Sequence, residues 1–206
     1  MLQSGDHVCI ARGLTGTVKH HAIVVAAEDS SGWAEIIEYG VFNADGTKKL
    51  IAGHALDTAK ERGDVRRSKV NAKKEKWRLV ENSSNGSSGQ TPQQVVEAAT
   101  FVLDNKTLLP AYHITFCNGE CVARWCKQGD FSSGQASKLY SQIGKVTKDR
   151  ALPITSAKKS DKKLSTMVVA VGAFVGKRHE QVGNTWAETK RVLDAAFASY
   201  GGVAAQ

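Results

Sequence analysis

Over 206 residues, 28 Lys and Arg stand against 20 Asp and Glu, so the chain carries a formal charge of +8, with 41% apolar and 23% charged residues. That balance belongs to an ordinary folded protein and excludes a disordered, collagen-like or coiled-coil chain; its 3 prolines exclude a Pro-rich linker. The length suits one domain with an extension, expected at 1–140 and 141–206.

No stretch reaches the ~18 consecutive apolar residues of a spanning helix. The opening MLQSGDHVCI lacks the basic-then-apolar pattern of a signal peptide. A cytoplasmic protein is expected, with peripheral contact to membranes. The four cysteines, Cys9, Cys117, Cys121 and Cys126, are too few for a disulfide scaffold and are expected as thiols. The positive charge suits a phosphate-bearing partner.

Asp6–Ile10 reads as a short strand, and Gly13–Thr17 as a turn. His21–Ala27 is a continuous apolar run, consistent with a buried strand. After the turn Glu28–Gly32, Trp33–Val41 completes a hairpin. Gly63–Lys76 is basic and poorly periodic, and Glu81–Gln90 is a polar loop. Thr91 and Pro92 open a helix with an apolar stripe at Val95, Val96, Ala99 and Val102 or Leu103. Tyr112–Phe116 reads as a short strand or turn. A second helix runs from Gly119 to Lys127 and stops at Gly129. Ser133–Gly144 reads as a further short helix. The tail holds a basic cluster at Lys158, Lys159, Lys162 and Lys163, an apolar stretch Met167–Val175, and an amphipathic helix Thr185–Tyr200.

Two segments carry chemistry when read together. In Lys19-His20-His21-Ala22-Ile23-Val24-Val25, a histidine at the start of a buried strand is held rigidly enough to act as a general base. In the segment from Tyr112 to Gly129, an extended stretch enters a helix N-terminus, where the dipole would favour a thiolate. The spacing of His113, Cys117 and Cys121 would need one continuous helix to bind zinc, and no fourth ligand stands nearby. Neither a metal nor a cofactor is therefore expected.

GDH near the start, HHAIVV, TPQQVVEAATFVLD followed by YHITFCNGE, and CVARWCKQG follow in the order found in LRAT-like (lecithin retinol acyltransferase-like) proteins. The chain resembles that family over residues 5 to about 140, and its plant-type members in particular. The later SSGQAS and the tail Met167–Gly183 are similar to that group as well. The resemblance implies an α+β fold, a small antiparallel sheet packed with helices in a permuted papain-like arrangement. It implies His20 as the base and Glu38 as the orienting partner. The family's Asn-Cys-Glu falls on Asn118-Gly119-Glu120, so the nucleophile position holds glycine.

In the family's chemistry a thiolate attacks a phospholipid ester and passes the acyl group on. Gly119 cannot do this. The first expectation is therefore a catalytically impaired LRAT-like protein that binds a phospholipid, an anionic membrane surface or a protein partner. The second is an active acyltransferase or phospholipase A-type enzyme using Cys117 or Cys121 with His20, or one whose natural residue 119 is Cys. A basic nucleic-acid-binding protein ranks last, because the aromatic platforms of such proteins are missing.

Overall fold

The structure, a computed structural model, describes residues 1–12, 18–43, 63–80, 90–113, 115–138, 140–141 and 159–201. For Arg12, Val18, residues 159–176 and residue 178, it describes the backbone alone. The turn expected at Gly13–Thr17 and most of the polar loop expected at Glu81–Gln90 lie outside these residues, as does Lys158.

The fold is α+β. Strands β1 (His7–Arg12), β2 (Val18–Ala26), β3 (Trp33–Gly40), β4 (Asp64–Asn71) and β5 (Arg78–Leu79) form a five-stranded antiparallel sheet in the order β4-β3-β2-β1-β5. The β2–β3 pair is the expected hairpin, with Ala22 opposite Glu38. Within the basic, poorly periodic stretch 63–76 lies β4. It pairs with β3 from Trp33↔Asn71 to Gly40↔Asp64. Apolar burial touches only its ends, Val65 and Val70, so no period-two pattern marks it.

One face of the sheet is covered by α2 (Pro92–Asp104) and α3 (Gly119–Gln128). Thr91 and Gln94 close α2 with a reciprocal capping box, and α3 ends at Gly129 in the left-handed region, φ 68°. The main core lies here, with Ile23, Val25, Ile37 and Tyr39 from the sheet against Val95, Phe101, Val102 and Trp125. The opposite face carries a smaller cluster of Val8, Ile10, Ala22, Val24 and Ile36, covered by Leu2 and Trp77. The four-residue helix α1 (Ala72–Glu75) leads from β4 toward Trp77.

The tail differs from the expected separate pieces. Lys159–Ser199 is one continuous helix of 41 residues, about 60 Å long at 1.5 Å per residue. The expected basic cluster from Lys159, the apolar stretch and the amphipathic helix all lie along it. No proline falls after Pro153 to break it. Its second half belongs to the main core through Leu193 and Phe197. The indole Nε1 of Trp125 donates to Asp194 Oδ1 at 2.8 Å. Among the described residues, no helix is long and apolar enough to cross a membrane.

Candidate functional site

Strand alternation decides which histidine meets which partner. On β2, His21, Ile23 and Val25 point toward α2 and α3, while His20, Ala22 and Val24 point to the other face. The His20 ring stands edge-on to Trp77, centroids 6.1 Å apart, on that second face. Gly119 opens α3 on the first face. The sequence expectation set His20 and position 119 in one cleft; the structure puts the sheet between them.

His20 and Glu38 are brought together. His20 Nε2 and Glu38 Oε2 lie 2.7 Å apart, with the Glu38 side chain 2% exposed. Ser68 on β4 donates to the other carboxylate oxygen, Oε1, at 2.6 Å. The carboxylate thus fixes the imidazole, the geometry by which an acid orients a base. Ser68 spends its hydroxyl proton on Glu38 and does not stand as a nucleophile bonded to the base.

At the start of α3, Asn118 caps the helix. Its Oδ1 accepts from the Glu120 and Cys121 N–H groups at 2.9 and 3.1 Å, and its Nδ2 donates to Ser133 Oγ at 3.2 Å. A Cβ at Gly119 would stand 2.9 Å from the carbonyl oxygen of Tyr39 and 3.2 Å from that of His21. Backbone of β2 and β3 fills the space a side chain would need.

Glu120 ties the segment after α3 to this helix. Its Oε2 accepts from Ser133 Oγ at 2.5 Å and from the Gln135 N–H at 3.0 Å. Burial alone would raise the Glu120 carboxyl, but these bonds hold it below its ordinary range.

The first face also holds a histidine pair that the sequence reading left unused. His7 Nε2 and His21 Nδ1 lie 2.9 Å apart. Gln135 decides who donates. Its Oε1 accepts from the Lys19 N–H at 2.7 Å and its Nε2 donates to the Lys19 carbonyl at 3.1 Å, which fixes the amide's orientation. The same Nε2 lies 3.1 Å from His21 Nε2. That ring nitrogen must therefore accept, so His21 carries its proton on Nδ1 and donates it to His7 Nε2. His7 then carries its own proton on Nδ1, a buried atom without a hydrogen-bond partner among the described residues.

Burial depresses both histidines, His7 to about 3 and His21 to about 4. For His7 the neighbouring His21 adds to the effect; for His21 the Glu120 charge opposes it. Both are neutral at pH 7. The signals that could have found them were the GDH and HHAIVV motifs read with the parity of β2.

Both substitute nucleophiles lie in the main core. Cys117 and Cys121 are fully buried. Desolvation lifts the Cys117 thiol well above its ordinary value and Cys121 to about 12. At α3 the expected dipole effect is outweighed, and neither sulfur is a ready thiolate. Cys9, opposite His21 on β1, is also raised by burial. His113 Nδ1 accepts from the N–H groups of Thr115 and Phe116 at 3.2 and 3.3 Å, so it caps a turn. Among the described residues, no group of three His, Cys, Asp or Glu side chains is arranged to hold a metal ion. The chain matches no family model, no curated protein and no solved structure.

Proposed function

We propose that this chain is an LRAT-like domain in a permuted papain-like arrangement that has given up thiol chemistry and binds a phospholipid or anionic membrane surface. The observation that carries this reading is Gly119, where an added Cβ would stand 2.9 Å from the Tyr39 carbonyl oxygen, at the point where the resemblance puts the nucleophile. Two further observations support it. His20 points away from α3, which supports the loss of thiol chemistry and counts against His20 as the family's base. The sulfurs of Cys117 and Cys121 are sealed in the core and held protonated. What remains is a chain of net charge +8, suited to anionic lipid headgroups.

The test is incubation of the purified chain with phosphatidylcholine and with vesicles containing phosphatidylserine. The expected result is an unchanged intact mass, no ester hydrolysis above buffer, and co-sedimentation with the anionic vesicles that salt weakens. A stable acyl adduct on any cysteine, or failure to sediment with anionic vesicles, overturns the reading.

A further inference from the structure

The amide of Gln135 stands in for a strand at the start of β2. That strand begins at Val18, but its ladder with β3 begins only at Ala22↔Glu38. Before that point the Lys19 N–H donates to Gln135 Oε1 at 2.7 Å, and the Lys19 carbonyl accepts from Gln135 Nε2 at 3.1 Å. A neighbouring strand residue would use the same two bonds. The segment that carries Gln135 is anchored independently of them. Phe131 is buried in the main core, Ala136 is nearly buried, and Ser133 Oγ and the Gln135 N–H both donate to Glu120 Oε2. From this anchored segment the Gln135 side chain reaches across to β2.

One proton decides whether the contact holds. Gln135 Nε2 donates to His21 Nε2 only while that nitrogen keeps its lone pair. His21 Nδ1 already carries the ring's other proton and turns it toward His7 Nε2. The next proton therefore enters at His21 Nε2, where it sets a donor against a donor. Turning the amide over gives no relief. It would aim the Gln135 NH2 at the Lys19 N–H and the Gln135 oxygen at the Lys19 carbonyl, and both bonds to β2 would be lost. A replacement partner is within reach, because Glu120 Oε2 lies 3.4 Å from Gln135 Nε2 and its charge favours the imidazolium.

The neighbours of His21 come from every element around it. Lys19 and His20 flank it on β2, His7 and Cys9 stand on β1, and Glu120 and Arg124 project from α3. Asp130, beyond α3, pairs with Arg124. Burial is the largest influence and depresses His21 to about 4; His20, Lys19 and Arg124 push the same way, and Glu120 opposes them. His7 is neutral and the Cys9 thiol is raised, so neither adds a charge at pH 7. With the latch open and the ring in water, His21 returns toward its ordinary value of about 6.5. Opening therefore gains as pH falls below about 6.5 and levels off near 4.

We propose that Gln135 is the pin of an acid-released latch: protonation of His21 at Nε2 expels the Gln135 amide from Lys19, passes the imidazolium to Glu120, and parts the segment after α3 from the start of β2. The latch needs no lipid and stands apart from the membrane-binding reading.

The experiment is hydrogen exchange of the full chain, read by mass spectrometry from pH 7 to pH 5, with each rate corrected for intrinsic exchange. Peptides over Val18–His21 contain the Lys19 N–H and report the latch; peptides over Val95–Val102 in α2 report global unfolding. Corrected exchange at the start of β2 is expected to rise about tenfold or more between pH 7 and pH 5, while α2 stays protected. Gln135→Ala should exchange fast at both pH values, and His21→Gln should flatten the profile.

Gln135→Glu distinguishes the latch from general acid loosening. It puts an acceptor where the amide NH2 stood, so acid should slow exchange at Lys19 instead of speeding it. A parent profile that is flat, or that follows α2 at every pH, overturns the proposal. So does an acid response of the parent's size and sign in Gln135→Ala or Gln135→Glu.

Discussion

Gly119 meets the backbone of Tyr39 so closely that the helix and the strand touch without any side chain between them. A methyl group at this position has to displace a carbonyl oxygen that belongs to the β3 ladder. Gly119→Ala should therefore lower stability by about 1–3 kcal/mol, the range of overpacked cores, and Gly119→Cys by at least as much. Urea midpoints at constant slope measure this. Gly119→Cys should also fail to become the fastest cysteine toward iodoacetamide, since His20 stands on the other side of the sheet; a rapid, His20-dependent alkylation would refute the geometry.

Glu38 binds His20 with one oxygen and Ser68 with the other. Glu38→Ala leaves both donors facing an emptied, nearly dry site and should cost about 2–3 kcal/mol. Glu38→Gln keeps an acceptor for Ser68 and should cost less. The order of the two denaturation midpoints checks it, and equal losses would count against the carboxylate's double role.

Acid should weaken this fold early. His7 and His21 fold neutral, with pKa values depressed to about 3 and about 4 from the ordinary 6.5. The unfolded chain then binds more protons than the folded one. The stability due to burying these rings is complete above about pH 6.5 and is lost as pH falls toward 4, at up to ~1.4 kcal/mol per pH unit for each histidine. Below 4.5 Glu120, whose carboxyl is also depressed, acts in the same direction. Denaturation at pH 7 and pH 5 measures the loss, and His7→Gln should flatten it.

The second half of the C-terminal helix should behave as core. Leu193 is fully buried, and Phe197 lies against Phe101 with centroids 5.1 Å apart. Leu193→Ala should cost about 2–5 kcal/mol in a single cooperative transition. A transition split in two would show that the helix unfolds by itself.

The elements whose local chemistry agrees with their packing were readable. Thr91, Pro92 and Gln94 announce α2, and Asn118 with Gly129 bracket α3. The continuous apolar run of β2 reads as a buried strand. β4 was hidden because Arg66, Arg67, Ser68 and Lys69 occupy the positions that would alternate, while the two buried valines sit at opposite ends. At the candidate site, the choice between His20 and His21 turns on one residue of register, and a shift of one exchanges the faces of the sheet. The partnership of Glu38 with Ser68 and that of His21 with Gln135 depend on tertiary contacts across 30 and 114 positions, beyond the reach of local pattern. The sealed environment of Gly119 is of the same kind, since it comes from strands that precede it by about eighty residues or more.

The ring cluster of Phe101, Trp125 and Phe197 has a consequence for biogenesis. A ribosome releases the sheet, α2 and α3 well before Phe197 leaves the exit tunnel. At the ~5–20 residues per second of synthesis, the aromatic faces of α2 and α3 wait several seconds or more for the helix that covers them. During that interval the nascent chain exposes an adhesive surface, until translation has passed its last buried aromatic residue.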